Sequence, residues 1–236
     1  MKLRGFAGIG IACLSVAVLF TGLSYGEENA ATRLNTAGVV FTEIMRTPDK
    51  SIPQELLESA ACMVIVPGMK KAAFIVGGQY GRGFILCRQA SGLGWSAPAG
   101  VKVEGGSIGF QIGGSETDVI MLVMNQRGAQ KLLSSQFTLG ADASVAAGPV
   151  GRTTSADTDA LMHAEILSYS RSRGVFAGIS LDGATLRPDE EANAELYGKK
   201  LTNEQIVMGT VKSPPSGSKL NADLNKYSPR KEVKKD

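Results

Sequence analysis

The sequence predicts an α+β domain: a curved antiparallel β-sheet or barrel with peripheral helices at its N-terminal and C-terminal ends. Three observations lead there. Twenty-nine glycines among 236 residues, with only 20% charged residues, are too many for a helical bundle and suit strands joined by tight turns. From residue 62 to 124 the apolar runs are short or alternating and punctuated by glycine, which is the strand pattern. Apolar spacing of three and four is found mainly before and after that stretch. With 43% apolar residues the chain has enough material for one buried core.

Taken in order, Leu34, Ala37, Val40, Phe41, Ile44 and Met45 make an amphipathic helix over 30–45 that Pro48 would stop. A second helix is expected over 53–60, with Pro53 at its first position. Strands are expected at 62–66, 72–80, 83–89, 100–104, 107–113 and 117–124, with Gly81-Arg82-Gly83 and Gly113-Gly114-Ser115-Glu116 as hairpin turns. A short helix follows over 125–134, then strands at 137–147, 163–172 and 174–182. Pro188 to Tyr197 is read as a helix begun by Pro188 and three acidic residues, and Asn203 to Met208 as a last helical turn. Phe74-Ile-Val-Gly-Gly78 and Phe110-Gln-Ile-Gly-Gly114 echo each other, as two similar hairpins of one sheet would.

The two ends differ from the body. Lys2 and Arg4 precede an apolar run from Gly5 to Leu23, and Ser24 and Gly26 supply small residues for cleavage, so 1–26 reads as a signal peptide. The same run is long enough to span a bilayer, which keeps an uncleaved anchor as the alternative. Cys13 sits inside the run, where it does not suit lipidation. Export would leave Cys62 and Cys87, each in an apolar strand-like run; two buried free thiols are expected, with a disulfide as the alternative. Residues 27–211 form the domain, with 16 basic and 19 acidic residues, while 212–236 has seven basic and three acidic residues and reads as a disordered basic tail. A mildly acidic body without aromatic interleaving excludes the broad basic surface of a nucleic-acid binder.

The run from Phe137 to Arg152, Phe-Thr-Leu-Gly-Ala-Asp-Ala-Ser-Val-Ala-Ala-Gly-Pro-Val-Gly-Arg, and the run from Ser168 to Gly183 resemble the signature of the SYLF domain, or Ysc84, family. Upstream, Ile52-Pro53, Val66-Pro67, Lys71-Ala-Ala-Phe74, Gly81-Arg-Gly83, Trp95-Ser-Ala-Pro98 and Gly105-Gly-Ser-Ile-Gly109 match in the same order, so the resemblance covers roughly residues 31 to 210. It implies the same α+β architecture and a non-enzymatic module that binds lipid, phosphoinositides included, or, in fungal members, associates with actin. Eukaryotic members carry a lysine-rich amphipathic helix at the start of the domain. The matching helix here has Arg33 and Arg46 and no lysine between them.

Catalytic readings find little support. Gly105-Gly-Ser107-Ile-Gly109 matches the G-x-S-x-G pattern of a hydrolase nucleophile, but that motif needs a strand, a strained turn and a helix, and Phe110-Gln-Ile-Gly continues as a strand. His163 is the only histidine, so it would have to serve as the base for Ser107. Asp157, Asp159 and Glu165 near it read as solvated acids, and no metal-ligand spacing, phosphate loop or EF-hand is present. No catalytic residue, metal or cofactor is therefore expected.

Binding remains. Lys70 and Lys71 beside Pro67-Gly68, Arg82 at a hairpin tip, and Arg171 and Arg173 alternating along one strand face with Tyr169 would, if they converge, hold an anionic headgroup. The basic tail would add electrostatic attachment to an anionic membrane. The sequence thus predicts an exported, periplasmic or secreted lipid- or membrane-surface-binding module of the cell envelope. The alternatives are an envelope protein-interaction or actin-binding-like structural module and, behind it, a serine hydrolase using Ser107.

Overall fold

The structure is a computed structural model, which describes residues 28–47, 51–74, 76–89, 93–108, 113–133, 136–151, 164–172, 175–179 and 181–229. The α+β expectation holds. Helix α1 (Ala30–Arg46) begins at Asn29, whose side chain accepts from the Thr32 N–H at 2.7 Å, and buries Leu34, Ala37, Val40, Phe41 and Ile44 along one stripe. Short helix α2 (Gln54–Ser59) leads into β1 (Cys62–Phe74), followed by β2 (Val76–Cys87), β3 (Ala99–Ile108) and β4 (Gly113–Val123). Helix α3 (Gln126–Leu132), β5 (Phe137–Thr138), β6 (Val145–Ala147), β7 (Ile166–Ser172), β8 (Val175–Gly178) and β9 (Thr185–Pro188) come next. The chain closes with α4 (Glu190–Tyr197), α5 (Asn203–Val207), a 3-10 turn (Pro215–Gly217) and α6 (Ser218–Tyr227).

The nine strands of the described residues join one curled, half-barrel sheet in the order β5-β9-β3-β2-β1-β4-β7-β6, with β8 beside β7; among them every strand pairing is antiparallel except β6 with β7. The sheet's central part is buried on both faces. Val64, Val66, Val101, Val103, Val119 and Met121 pack on one side with Leu132 of α3, Ile206 of α5 and Phe137. Met63, Ile65, Phe84, Leu86, Ile120 and Leu122 pack on the other with α1, α2, α6 and Trp95. Burial on both faces is why the sequence shows continuous apolar runs there instead of strict alternation.

The expected pairs of short strands are long strands. Gly81-Arg82-Gly83 is no turn: β2 passes straight through it, and the irregularity lies in β1, whose register shifts between Ile65 and Lys70. There Gly68 adopts φ +56°, and a Cβ on Gly83 would lie 2.1 Å from the Ile65 carbonyl oxygen. The glycines mark a bulge and the backbone pressed against it. Gly113–Glu116 likewise belongs to β4. The echoed glycines take equivalent places, since Ala73 faces Gly77 on one side and Gly113 on the other.

The region expected as a strand at 137–147 holds only the two- and three-residue strands β5 and β6, joined by turns. Pro188 ends β9, and Asp189, whose side chain accepts from the Ala192 N–H at 3.2 Å, caps α4. The expected disorder from 212 onward does not hold over 215–227. Leu220, Leu224 and Tyr227 recur at four- and three-residue spacing, and Leu220 and Leu224 are fully buried against α1, each contributing about 2 kcal/mol. The Thr42 hydroxyl donates to Asp223 at 2.6 Å and accepts from Lys219 at 2.8 Å, which fastens α6 to α1. Cys62 and Cys87 face each other in register across β1 and β2 and form a disulfide, so the free-thiol expectation is corrected. Among the described residues no helix is long and apolar enough to cross a membrane.

Candidate functional site

The five cations expected to converge do not form one described cluster. Arg82, inward on β2, donates to both carboxylate oxygens of Asp189, at 2.5 and 2.8 Å. Its side chain is 9% exposed and that of Asp189 fully buried, and Lys102 and Glu191 complete the network at 3.6 and 3.5 Å. Burial alone would raise the Asp189 carboxyl. The hydrogen bonds from Arg82 and the Ala192 N–H, with the charges of Arg82 and Lys102, outweigh that and hold it below the usual carboxylate range. This is a structural ion pair tying the start of α4 to β2 and β3.

Arg171 behaves similarly on β7. It reaches Asp118 of β4 at 2.7 Å and also Glu43 of α1. Its partial burial disfavours the charged form, but these two carboxylates raise its pKa further. β1 and β4 separate the strands of Arg82 and Arg171. Arg173 lies outside the described residues.

Lys70 and Lys71 differ from the arginines. Among the described residues neither makes an ion pair, and as strand neighbours they point to opposite faces of β1. Lys70 lies in register between Tyr80, which is 44% exposed, and Glu116. Lys71 lies between Gln79 and Ser115, half-buried, and burial lowers its pKa.

Ser107 sits within β3 opposite Gly77, not on a strand-to-helix elbow, so the geometry of a hydrolase nucleophile is not built. His163, Asp157 and Asp159 lie outside the described residues. Among the described residues no group of three His, Cys, Asp or Glu side chains could hold a metal. At the β3 edge an open polar cleft of about 460 Å³ is lined by Gln79, Glu104, Gly106, Thr185 and Arg187. In it Arg187 donates to both oxygens of Glu104 at 2.5 Å.

Two buried polar arrangements escaped the sequence reading. The Arg88 guanidinium lies 4.2 Å from the Trp95 ring and donates to the carbonyls of Leu57 and Ser228 at 3.1 and 2.9 Å, joining α2, β2 and the end of α6. Tyr169 stacks on Phe176 at 5.4 Å, and a Cβ on Gly148 would lie 2.0 Å from its ring, so the Gly148-Pro149 loop needs a glycine to cover it. Burial raises the Tyr169 hydroxyl pKa, and that hydroxyl has no hydrogen-bond partner among the described residues.

The described signature residues of 137–151 and 168–183 therefore supply β5 to β8, Tyr169 among them, and the turn that leads into β9. Residues 104–227 match the family model described as Ysc84, Las17-binding protein actin regulator. The chain belongs to the Ysc84 family. Relatives of this Ysc84 domain include the rat SH3 domain-containing YSC84-like protein 1, 32% identical over 196 residues, 82% of this chain and 57% of that protein. Protein YSC84 of Saccharomyces cerevisiae is 34% identical over 73% of this chain and 37% of its own length. LAS seventeen-binding protein 3 of the same species is 35% identical over 71% of this chain and 37% of its own. This Ysc84 chain spans about half the length, or less, of the curated relatives it matches.

Proposed function

We propose that this chain is a non-enzymatic docking module whose partner is another protein. The observation that supports this reading is the match of 104–227 to a family described as a Las17-binding actin regulator. A relative is itself named for binding Las17. Since the chain spans only part of such relatives, the partner proposed here is a protein of the compartment in which this chain works, and actin or Las17 themselves are not assumed. We further propose that this compartment is extracytoplasmic. The apolar run at 5–23, which follows Lys2 and Arg4, and the Cys62–Cys87 disulfide both support an oxidising location.

A second reading, attachment to anionic lipid, is favoured by one observation: Lys70 and Lys71 lack ion-pair partners among the described residues, and Lys70 stands in register with exposed Tyr80. Arg82 and Arg171 fit this site poorly because internal carboxylates already neutralise them. Arg173 and the lysines after 230 stay in it on sequence grounds.

The test uses the purified chain with two partners in parallel: detergent-solubilised envelope proteins, and vesicles of phosphatidylglycerol and phosphatidylcholine. A saturable complex of fixed stoichiometry with one protein, unchanged when Lys70 and Lys71 are both replaced by Glu, supports protein docking. Vesicle co-sedimentation abolished by those replacements, with no such complex, supports the lipid reading and removes the first.

A further inference from the structure

Strand β3 has two neighbours over its first half and one over its second. Val101–Glu104 pairs with both β2 and β9, whereas among the described residues Gly105–Ile108 pairs with β2 alone. β9 begins at Thr185, just after Gly183 with φ +79°, and so occupies only part of the β3 edge.

Alternation settles which backbone groups face the vacant part. The Gly100 N–H donates to the Asn193 side chain at 2.7 Å, and the Gly100 carbonyl accepts from the Asp189 N–H at 2.9 Å, both away from β2. In an antiparallel strand both groups of every second residue share one side. Gly106 and Ile108 therefore turn their N–H and C=O groups toward the open edge, while Gly105 and Ser107 turn theirs to β2. Among the described residues nothing else hydrogen-bonds those outward groups of Gly106 and Ile108.

An exposed edge is normally blunted by lysine, proline, a bulge or a covering loop. Gly105-Gly-Ser-Ile108 carries neither lysine nor proline. Gly106 is exposed, and a Cβ built on it would meet nothing nearer than the Gly77 carbonyl oxygen at 4.0 Å, so among the described residues no side chain crowds the sheet face beside this edge. The cleft of about 460 Å³ lies beside this edge, along the track that β9 leaves free.

We propose that this edge binds an extended segment of a protein partner, which lies antiparallel to β3, continues the track of β9 and adds a strand to the sheet. This rests on the protein-docking reading above and names its site. Backbone pairing to Gly106 and Ile108 gives the affinity, as in other strand additions. The cleft selects side chains: Gln79 and Thr185 offer amide and hydroxyl groups, and the Glu104–Arg187 pair leaves little net charge. The fitting segment is therefore uncharged, with small, amide or hydroxyl side chains toward the cleft. A phosphorylated or strongly ionic ligand finds no uncompensated charge there.

The test is selection of a phage-displayed library of random 12-residue peptides on the intact chain, followed by titration of an enriched synthetic peptide. Gly106→Pro removes the outward N–H at an edge position where the fold tolerates proline, and Gly106→Ala adds a Cβ but keeps the N–H. Wild type and Gly106→Ala are expected to bind alike, with Gly106→Pro weaker by about tenfold. In the wild type the peptide should slow amide exchange at Gly106 and Ile108, a readout that serves even if the proline variant fails to fold. No enriched peptide, equal binding by a folded Gly106→Pro, protection elsewhere, or an edge occupied by a second copy of this chain overturns the proposal. A partner complex insensitive to Gly106→Pro would remove the edge while leaving protein docking intact; absence of any protein complex would remove docking itself.

Discussion

Replacing Asp189 by Asn tests whether the Arg82 network is structural. The exchange keeps an oxygen to accept from the Ala192 N–H, so the cap of α4 survives and the lost charge is the main change. Removing one member of a buried ion pair costs about 3–5 kcal/mol, because the other charge is left without compensation. Here Arg82 keeps Glu191 at 3.5 Å, but that carboxylate is 76% exposed and screened by solvent. The lower end, about 3 kcal/mol, is therefore expected, equivalent to a fall in Tm of about 6–12 °C for a chain of this size. Asp189→Ala should lose about 1 kcal/mol more through the cap. The sign of the pH dependence follows from the depressed Asp189 pKa: its contribution is full above the unfolded value and is lost as pH falls through the lower folded one. Urea unfolding at pH 7 and pH 3 should thus show the wild-type advantage shrinking in acid, below about pH 4. A loss under about 1 kcal/mol at neutral pH, or a difference unchanged by acid, would mean that the Arg82–Asp189 pair does not hold the fold together.

Other substitutions probe the remaining buried features. Tyr169→Phe removes a hydroxyl without a described partner and should leave thermal stability equal or raised by about 1 kcal/mol, as calorimetry would show. Gly148→Ala pushes a methyl into the Tyr169 ring and should destabilise by about 1–3 kcal/mol in the same assay. Replacing Cys62 and Cys87 together by Ser opens a link across a separation of 25 residues and should lower unfolding free energy in urea by about 3 kcal/mol; reductant should reproduce the loss in the wild type. Leu224→Ala should cost about 2–5 kcal/mol by chemical denaturation, whereas a disordered tail would make it silent.

The fold was legible where pattern and packing coincide. The stripe of α1 and the helical signals at 54–59 and 203–207 lie where spacing, proline and caps place them. Glycine misled at 81–83, because a glycine needed for close backbone approach looks the same in sequence as one needed for a turn; only the facing bulge at Gly68 separates the two. The final helix was obscured by its lysines, although Leu220, Leu224 and Tyr227 carried the period. At the candidate site, counting cations could locate Arg82 and Arg171 but not their neutralisation, since Asp189 and Asp118 are 107 and 53 residues away in the chain. The sequence offered Cys62 and Cys87 both as free thiols and as a pair, and only the β1–β2 register, which sets them opposite each other, decides between the two.

The most direct test of protein docking is cross-linking of the purified chain with detergent-solubilised envelope proteins, titrated to saturation in parallel with anionic vesicles. One stoichiometric protein complex that survives replacement of both Lys70 and Lys71 by Glu is expected. Binding to vesicles alone, abolished by those two replacements, would contradict it.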